Sequence, residues 1–417
     1  MTIWKIKPLS DVCEFQRGLT YSKSDEVDTP GQIVLRATNI DLASNRLNLE
    51  ELKFIAAEVK IPLSKLVRPG SLIVCTASGS KSHLGKVAFI DEDYGYAFGG
   101  FMGQITPKLG VDGRFVFHAL TSPDYKKFID ELSDGININN LKFDDLGKFP
   151  LPIPALPEQR RIVAILDEAF EAIATAKANT EKILQNAREL FEWHHQTAFS
   201  RAREVSKDQR LGEIASFRNG INYTKQSKGS LVRIIGVRNF QDHFWAPTED
   251  LDSIMLDGEL AGADAVEEGD ILSVRSNGNP ELIGRCMLVG KFSGLVTHSG
   301  FTIRIRLQSR NSLPQYVCQF LKSREVRRKL VDGGTGLNIK SLNQGMLSDL
   351  VIPLPPVETQ QMLIHEIEAM TESTANLFDT ATRKLAALAE LNKSLLHQAF
   401  TGALTPKSTD KQLEAVA

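Results

Sequence analysis

The sequence predicts a duplicated chain: two tandem copies of an α/β globular domain plus a long α-helix, the two helices pairing as an antiparallel coiled coil within one molecule. Three observations carry this. A proline clamp opening a helix-like run is written twice, as FPLPIPALPEQRRIVAILDEAF from Phe149 and as LVIPLPPVETQQMLIHEIEAM from Leu350. Laying one clamp on the other, at an offset of about 200 residues, brings other segments into register. After each clamp the apolar spacing alternates between three and four, the period of a helix seam.

The repeat is colinear along the chain. LSDVCEFQRGLTY (from Leu9) lies over LGEIASFRNGINY (from Leu211), LRATNI (Leu35) over IGVRNF (Ile235), and PGSLIVCTASGSKSHLGKVAFI (Pro69) over EGDILSVRSNGNPELIGRCMLV (Glu268). GGFMGQI (Gly99) lies over SGFTIRI (Ser299), ININNLK (Ile136) over LNIKSLN (Leu337), and HHQTAF (His194) over LLHQAF (Leu395). The expected organisation is a first globular domain at 1–153, a helical spacer at 154–204, a second globular domain at 205–355, a second spacer at 356–404 and a polar, disordered tail at 405–417.

Length and composition agree with this. A chain of 417 residues with 42% hydrophobic and 24% charged content can give each half its own core. No apolar run approaches the ~20 residues of a membrane span, and MTIWKIKPLSD lacks the apolar stretch of a signal peptide, so a cytoplasmic protein is expected. Cys13, Cys75, Cys286 and Cys318 are far apart in apolar strings and read as buried reduced thiols. The formal charge of −2 lacks the basic excess that a lone nucleic-acid binder usually carries.

Within each globular domain, short β-rich runs such as 71–76 and 271–274 are bounded by glycine and polar turns. Helical runs are expected over 114–132 and 313–330, the first broken at Ser122-Pro123 because proline excludes its predecessor from helical angles. The two copies agree in their apolar framework and differ in polar loop tips: Ser78-Gly79-Ser80-Lys81-Ser82 against Ser276-Asn277-Gly278-Asn279. A shared scaffold with divergent polar loops fits two recognition modules that read different things. The residue types fit DNA, since arginine forks onto guanine, asparagine onto adenine, and small residues let backbone N–H groups approach phosphate. The candidates are Arg36, Asn39, Ser78, Ser80, Lys81, Lys86, Asn137, Asn139 and Asn140 in the first copy, and Arg238, Asn239, Arg275, Asn277, Asn279, Arg285, Asn338 and Lys340 in the second. The same residue types also build ordinary turns.

The helix seams are expected at Leu166, Ala169, Ile173, Ala176, Thr180, Ile183, Ala187 and Leu190, and at Leu363, Ile367, Met370, Thr374, Leu377, Ala381, Lys384, Leu388, Leu391 and Leu395. Glu158 and Glu358 suit the positive helix ends. Small and polar seam residues argue against a homo-oligomeric zipper, and tandem copies favour a pseudo-two-fold, hence antiparallel, pairing. Helices of about forty-five residues, roughly 65–70 Å long, would act as a ruler between two modules.

Catalytic constellations are missing. No P-loop occurs, 332–336 (DGGTG) reads as a turn, and Asn279-Pro280-Glu281-Leu282 lacks the aromatic of an adenine methyltransferase motif and reads as a loop tip. Asp167-Glu168 reads as surface charge and His194-His195 as helix packing, and no metal site is expected.

With these residues assembled, nearly the whole chain resembles the specificity subunits of type I restriction-modification systems. The resemblance rests on the helix entry, an Ile-Pro followed by a glutamine (Ile153, Pro154, Gln159; and Ile352, Pro353, Gln360), the Gly-x-Asn-Ile phrases at 135–138 and 336–339, the R-S-N-G-N loop from Arg275, and the endings HQTAF and HQAFTGAL. The second clamp departs from the pattern, reading Pro356-Val357-Glu358-Thr359-Gln360. The resemblance implies two target-recognition domains, each reading half of a bipartite, asymmetric double-stranded DNA site. It implies helices that set the gap and dock two modification (methyltransferase) subunits, with Pro154, Glu158, Gln159, Pro355 and Gln360 placed at helix entry and docking. It further implies a non-catalytic subunit with no cofactor of its own: S-adenosylmethionine would sit on the modification subunits, and ATP and magnesium on a restriction subunit where one joins. A scaffold that holds partners without reading DNA, and a remnant of a fused restriction-modification enzyme, are the competing readings.

Overall fold

A computed structural model describes residues 4–28, 31–42, 44–134, 140–224, 226–240, 243–332 and 341–405. The chain forms two compact units, one of residues 1–180 with 382–417 and the other of residues 181–381. The boundary cuts through both long helices, Leu156–Glu204 and Val357–Thr401.

In the first unit, a four-stranded antiparallel sheet runs Cys13–Arg17, Met102–Pro107, Leu72–Cys75, Val87–Phe89. A second sheet runs Glu26–Val27, Lys53–Ile55, Gln32–Leu35, Ala97–Phe98, its last pair parallel. The strand Leu72–Cys75 explains why LIVC is unbroken apolar sequence: Leu72 and Val74 face one core and Ile73 and Cys75 the other, so both faces are buried. The second unit repeats the plan with Ala215–Asn219, Thr302–Leu307, Ile271–Val274, Cys286–Leu288, and with Asp252–Met255, Leu231–Ile235, Val296–His298. All four cysteines are buried free thiols, and burial pushes Cys13 up to about 12 and Cys75 to about 11.

The helical runs are broken in both copies. Gly113–Ala119 and Pro123–Asp134 flank Ser122; Pro314–Lys322 and Arg324–Asp332 flank Ser323. Proline marks only the first break. What the breaks share is a serine hydroxyl that accepts from the N–H three residues on, Tyr125 at 3.2 Å and Val326 at 3.4 Å.

Each unit's main core is closed by both long helices, the start of one and the end of the other. Ile162, Val163 and Leu166 share the first core with Leu396 and Ala399; Leu363, Ile364 and Ile367 share the second with Ala198, Phe199 and Ala202. The antiparallel pairing is therefore present within each unit, where Glu366 pairs with Arg201 at 2.7 Å and Arg188 lies over the Phe378 ring at 4.9 Å. The seam itself is corrected. Ile183, Leu190, Leu377 and Leu391 are 46%, 55%, 38% and 47% exposed, and Lys384 is also outside. Past Thr180 and Thr374 the inward positions become Leu184, Ala187 and Phe191, and Phe378, Ala381 and Leu385. An α-helix drifts about 20° per heptad against a strict seven-residue repeat, and an extra step of four restores the face. Asp167 is also no mere surface charge: it pairs with buried His118 at 2.9 Å and Arg114 at 3.0 Å.

The proline clamps have a structural meaning. Their strands, Pro150–Ile153 and Val351–Leu354, pair with Lys5–Pro8 and Lys207–Arg210 at the opposite end of each domain. Pro154 and Pro355 are buried behind them, and Gln159 and Gln360 are fully buried. Gln159 accepts from the Asp112 N–H (2.8 Å) and donates to the Gly110 (3.2 Å) and Pro154 (2.9 Å) carbonyls. Gln360 repeats this on Leu313 (2.9 Å), Asn311 (2.7 Å) and Pro355 (2.8 Å). These four residues stand at the helix entries, where, being buried, they fasten the chain internally and present no docking surface. Glu158 is half-buried, paired with Arg161 at 2.9 Å and with the Thr405 hydroxyl at 2.5 Å. Replacing Gln159 or Gln360 by leucine leaves a buried N–H and carbonyls unpaired at about 1–3 kcal/mol per group, partly offset by water and relaxation. Each variant is expected to lose about 2–4 kcal/mol of stability in urea unfolding; a loss under about 1 kcal/mol would remove the amide from this role.

Candidate nucleic-acid interface

In each copy one tight turn gathers the edges of both sheets. In the first it spans Gly99-Gly100-Phe101-Met102, closed by the Met102 N–H on the Gly99 carbonyl at 2.8 Å. Gly99 donates to the Leu35 carbonyl (2.9 Å), Leu19 to Phe98 (2.7 Å), and Gly18 to Met102 (3.0 Å). The Phe101 carbonyl accepts from both Thr76 (2.9 Å) and Ala77 (3.1 Å) N–H groups. The second copy keeps the set: Ser299 to Ile235 (3.0 Å), Ile221 to His298 (2.9 Å), Gly220 to Thr302 (3.1 Å), and Arg275 and Ser276 to Phe301 (2.9 and 3.4 Å). Glycine is required where the chain crosses this turn, since a Cβ on Gly18 or Gly220 would lie 2.0 or 2.2 Å from the carbonyl oxygen of Gly99 or Ser299.

The polar loops rise from this turn. In the first copy the loop leaves Thr76 through half-buried Ser78 to exposed Ser80 and Lys81, with Ser80 and Ser82 hydroxyls 2.8 Å apart. It returns at Gly85, whose φ of +75° and contact with Ile129 leave no room for a side chain. Lys86 is half-buried, its ammonium 3.4 Å from the Asp41 carbonyl, and burial lowers its pKa. Asn140 is exposed and its backbone bridges to Ala77. In the second copy half-buried Asn277 accepts from the Asn279 N–H (2.8 Å), and exposed Asn279 caps the turn Pro280–Leu282 through the Glu281 N–H (3.0 Å). Arg285 reaches the Glu281 carbonyl at 3.1 Å. Exposed Arg238 is paired with Asp252 at 2.8 Å and Asp250 at 3.5 Å.

Arg36 and Arg275 stand apart from these. Each is half-buried beside the gathering turn, and each holds a buried Nε without an acceptor. They come from different elements: Arg36 follows the strand Gln32–Leu35, Arg275 the strand Ile271–Val274. The two rims thus share a backbone and place their guanidinium groups differently.

Asn39 and Asn239 are corrections. They are 1% and 6% exposed. Asn39 accepts from the Arg36 N–H (2.8 Å) and donates to the Asn48 and Glu51 carbonyls (2.9 and 3.0 Å); Asn239 accepts from the Gly236 N–H (2.9 Å) and faces the Asp250 carbonyl (3.4 Å). Both hold their own loops: Asn39 has both amide donors engaged, and Asn239 is buried away from any base edge. Asn137, Asn139, Asn338 and Lys340, and the Gly-x-Asn-Ile phrases, lie outside the described residues. Sequence reasoning missed Phe101 and Phe301, which are 72% and 60% exposed at the turn itself. The available signal was an aromatic kept in both copies directly after glycine.

Among the described residues no group of three His, Cys, Asp or Glu side chains is arranged to hold a metal, and no helix is long and apolar enough to cross a membrane. Fold and rims together define a tandemly duplicated α/β protein whose two polar rims share one scaffold and differ in their side chains. Residues 1–185 match the family model "Type I restriction modification DNA specificity domain". The specificity subunit of the type I restriction enzyme EcoKI from Escherichia coli (strain K12) is 27% identical, the match covering 96% of this chain and 89% of that protein. The StySPI specificity subunit of Salmonella potsdam is 26% identical over the same shares. In fold, a chain of a solved type I R-M system superposes with a TM-score of 0.74 at 17% identity, covering 96% of this chain and 98% of its own. The HsdS subunit of Thermoanaerobacter tengcongensis gives 0.60 at 18% identity, covering 97% and 98%. Residues 1–185 thus match the specificity-domain model, and nearly the whole chain is similar to type I restriction enzyme specificity subunits.

The turn also carries a titratable difference. Burial, with Arg304 nearby, lowers the His298 pKa to about 4, and its Nδ1 lies 2.9 Å from the Thr302 hydroxyl; Phe98 occupies the equivalent place in the first copy. A histidine depressed in the folded state leaves the unfolded chain binding more protons between pH 6.5 and 4, so its contribution is complete above 6.5 and lost as pH falls through that window. The loss is about 2 kcal/mol by pH 5. His298→Phe is expected to flatten the fall of the urea midpoint between pH 7 and 5; an unchanged slope would exclude His298 as its source.

Proposed function

We propose that this chain is the DNA sequence-specificity subunit of a type I restriction-modification complex and performs no catalysis itself. Each globular domain reads one half of a bipartite, asymmetric site on double-stranded DNA, and the paired helices set the spacing and dock two modification subunits. S-adenosylmethionine would be held by those subunits, with ATP and magnesium on a restriction subunit where one is present. The observation that carries this reading is the twin rims: one backbone frame, written twice, with an arginine whose buried Nε lacks an acceptor at Arg36 in one copy and at Arg275 in the other. A frame kept while its readers change suits two different half-sites. Backbone N–H groups and small side chains at the rim position phosphate, while arginine forks onto base edges. The net charge of −2 fits a subunit whose partners close around the duplex with cationic surface of their own.

The test is adenine-methylation sequencing in a host lacking its own methylation, with this chain and its candidate modification subunit against a control lacking this chain. A split motif present only with this chain is expected. No motif, with the complex intact by size exclusion, would leave only a scaffold.

Arg275→Ala is expected to relax one half-site and spare the other, by roughly 1–3 kcal/mol at the position lost. Equal weakening at both half-sites in the same methylome would mean that Arg275 supports the fold and reads nothing.

A further inference from the structure

From the exposed phenylalanines we infer that Phe101 and Phe301 are apolar wedges, one per copy, that insert against a base step of each half-site. This rests on the DNA-recognition reading above. Single exposed apolar side chains are ordinary on protein surfaces. This pair is not ordinary in three respects. The same ring occupies the same turn position in both copies, while its neighbours diverge from Gly99 to Ser299, Met102 to Thr302 and Gly103 to Ile303. With 72% and 60% of each residue exposed, the fold makes little use of either ring. Yet the backbone beneath is held: each phenylalanine carbonyl accepts from two N–H groups of the adjoining polar loop, and the residue two before it is bonded to a strand of the other sheet.

The occupant follows from the surroundings. Each ring stands at a rim of serine, asparagine and cationic side chains: Arg275 donates its N–H to the Phe301 carbonyl, and Arg36 directly follows Leu35, whose carbonyl accepts from Gly99. A protein groove taking an aromatic would be matched by a broader apolar patch. A base step offers a flat π-surface bordered by phosphates, which such a rim complements. Aromatic and aliphatic wedges of this kind unstack a step and bend the duplex, adding sequence dependence through deformability where no base edge is read. A ring with only two rotatable bonds on a fixed turn loses little entropy on insertion.

The experiment uses the full chain with its modification subunits and a duplex bearing the methylated motif, with 2-aminopurine placed at successive steps through both half-sites. Phe101→Ala and Phe301→Ala are each expected to weaken binding about ten- to a hundred-fold, with the salt dependence unchanged because no ionic contact is lost. Each should abolish the 2-aminopurine fluorescence rise in one half-site only. Phe101→Trp should keep both affinity and signal. Since the rings are exposed, the thermal midpoints should stay within about 2 °C of the parent. Alanine variants that bind within two-fold of the parent overturn the wedge. So does loss of the modification subunits at unchanged DNA affinity of the reassembled complex, which would make the rings a protein contact. If the parent complex itself ignores the motif duplex, the DNA-recognition reading falls, and the wedge with it.

Discussion

Each long helix leaves its globular domain through one buried glutamine amide, and much of the remaining architecture hangs on that junction. The amide oxygen takes the N–H of the residue that opens the next domain helix, Asp112 or Leu313. The amide nitrogen holds a loop carbonyl two residues earlier and the carbonyl of the clamp proline five residues before the glutamine. One side chain thereby fixes the direction of a helix of 49 or 45 residues against its own domain. Prolines at the clamp contribute by removing competing N–H donors and restricting the approach. A charged or branched residue could not supply an acceptor and two donors in one plane, so the junction specifies glutamine in both copies.

The rim depends on a second economy of means. A four-residue turn collects backbone bonds from both sheets, so the position of the polar loop is set largely by main-chain contacts. Side chains on the loop are then free to differ without disturbing the frame. Arg36 and Arg275 make the point: in one copy the arginine follows the strand Gln32–Leu35, in the other the strand Ile271–Val274. Divergence at constant backbone is what a protein with two unlike readings needs.

Much of this was legible in the sequence because duplication supplies two readings of every signal. The two α/β domains, the strand Ile271–Val274, the helix entries and the antiparallel order of the helices all follow from laying the copies over each other. The misreadings have physical causes. Asparagine has two donors and an acceptor suited equally to adenine and to loop carbonyls, and only burial separates Asn39 and Asn239 from exposed candidates. Gln159 and Gln360 are expected at helix entry and docking, and a buried amide with all partners satisfied leaves no mark in composition that would separate the two roles. The seam slipped after Thr180 and Thr374 because a strict heptad fits a supercoiled helix better than a straight one. Ser323 breaks its helix without the proline that announces the same break at Ser122.

The division of the two units carries a consequence for biosynthesis. The core around Leu9, Val116 and Leu166 is closed by Leu396 and Ala399, close to the far end of the chain, whereas every part of the other core lies between Ala198 and Ile367. A ribosome adding 5–20 residues per second takes roughly 10–50 s to deliver the missing helix end after the first domain has emerged. The domain made first is therefore finished last, and for that interval its helix-facing surface of Ile162, Val163 and Leu166 awaits its final partner. The nascent chain is most exposed to association with other nascent chains over this stretch, and it is there that chaperone attention would be directed.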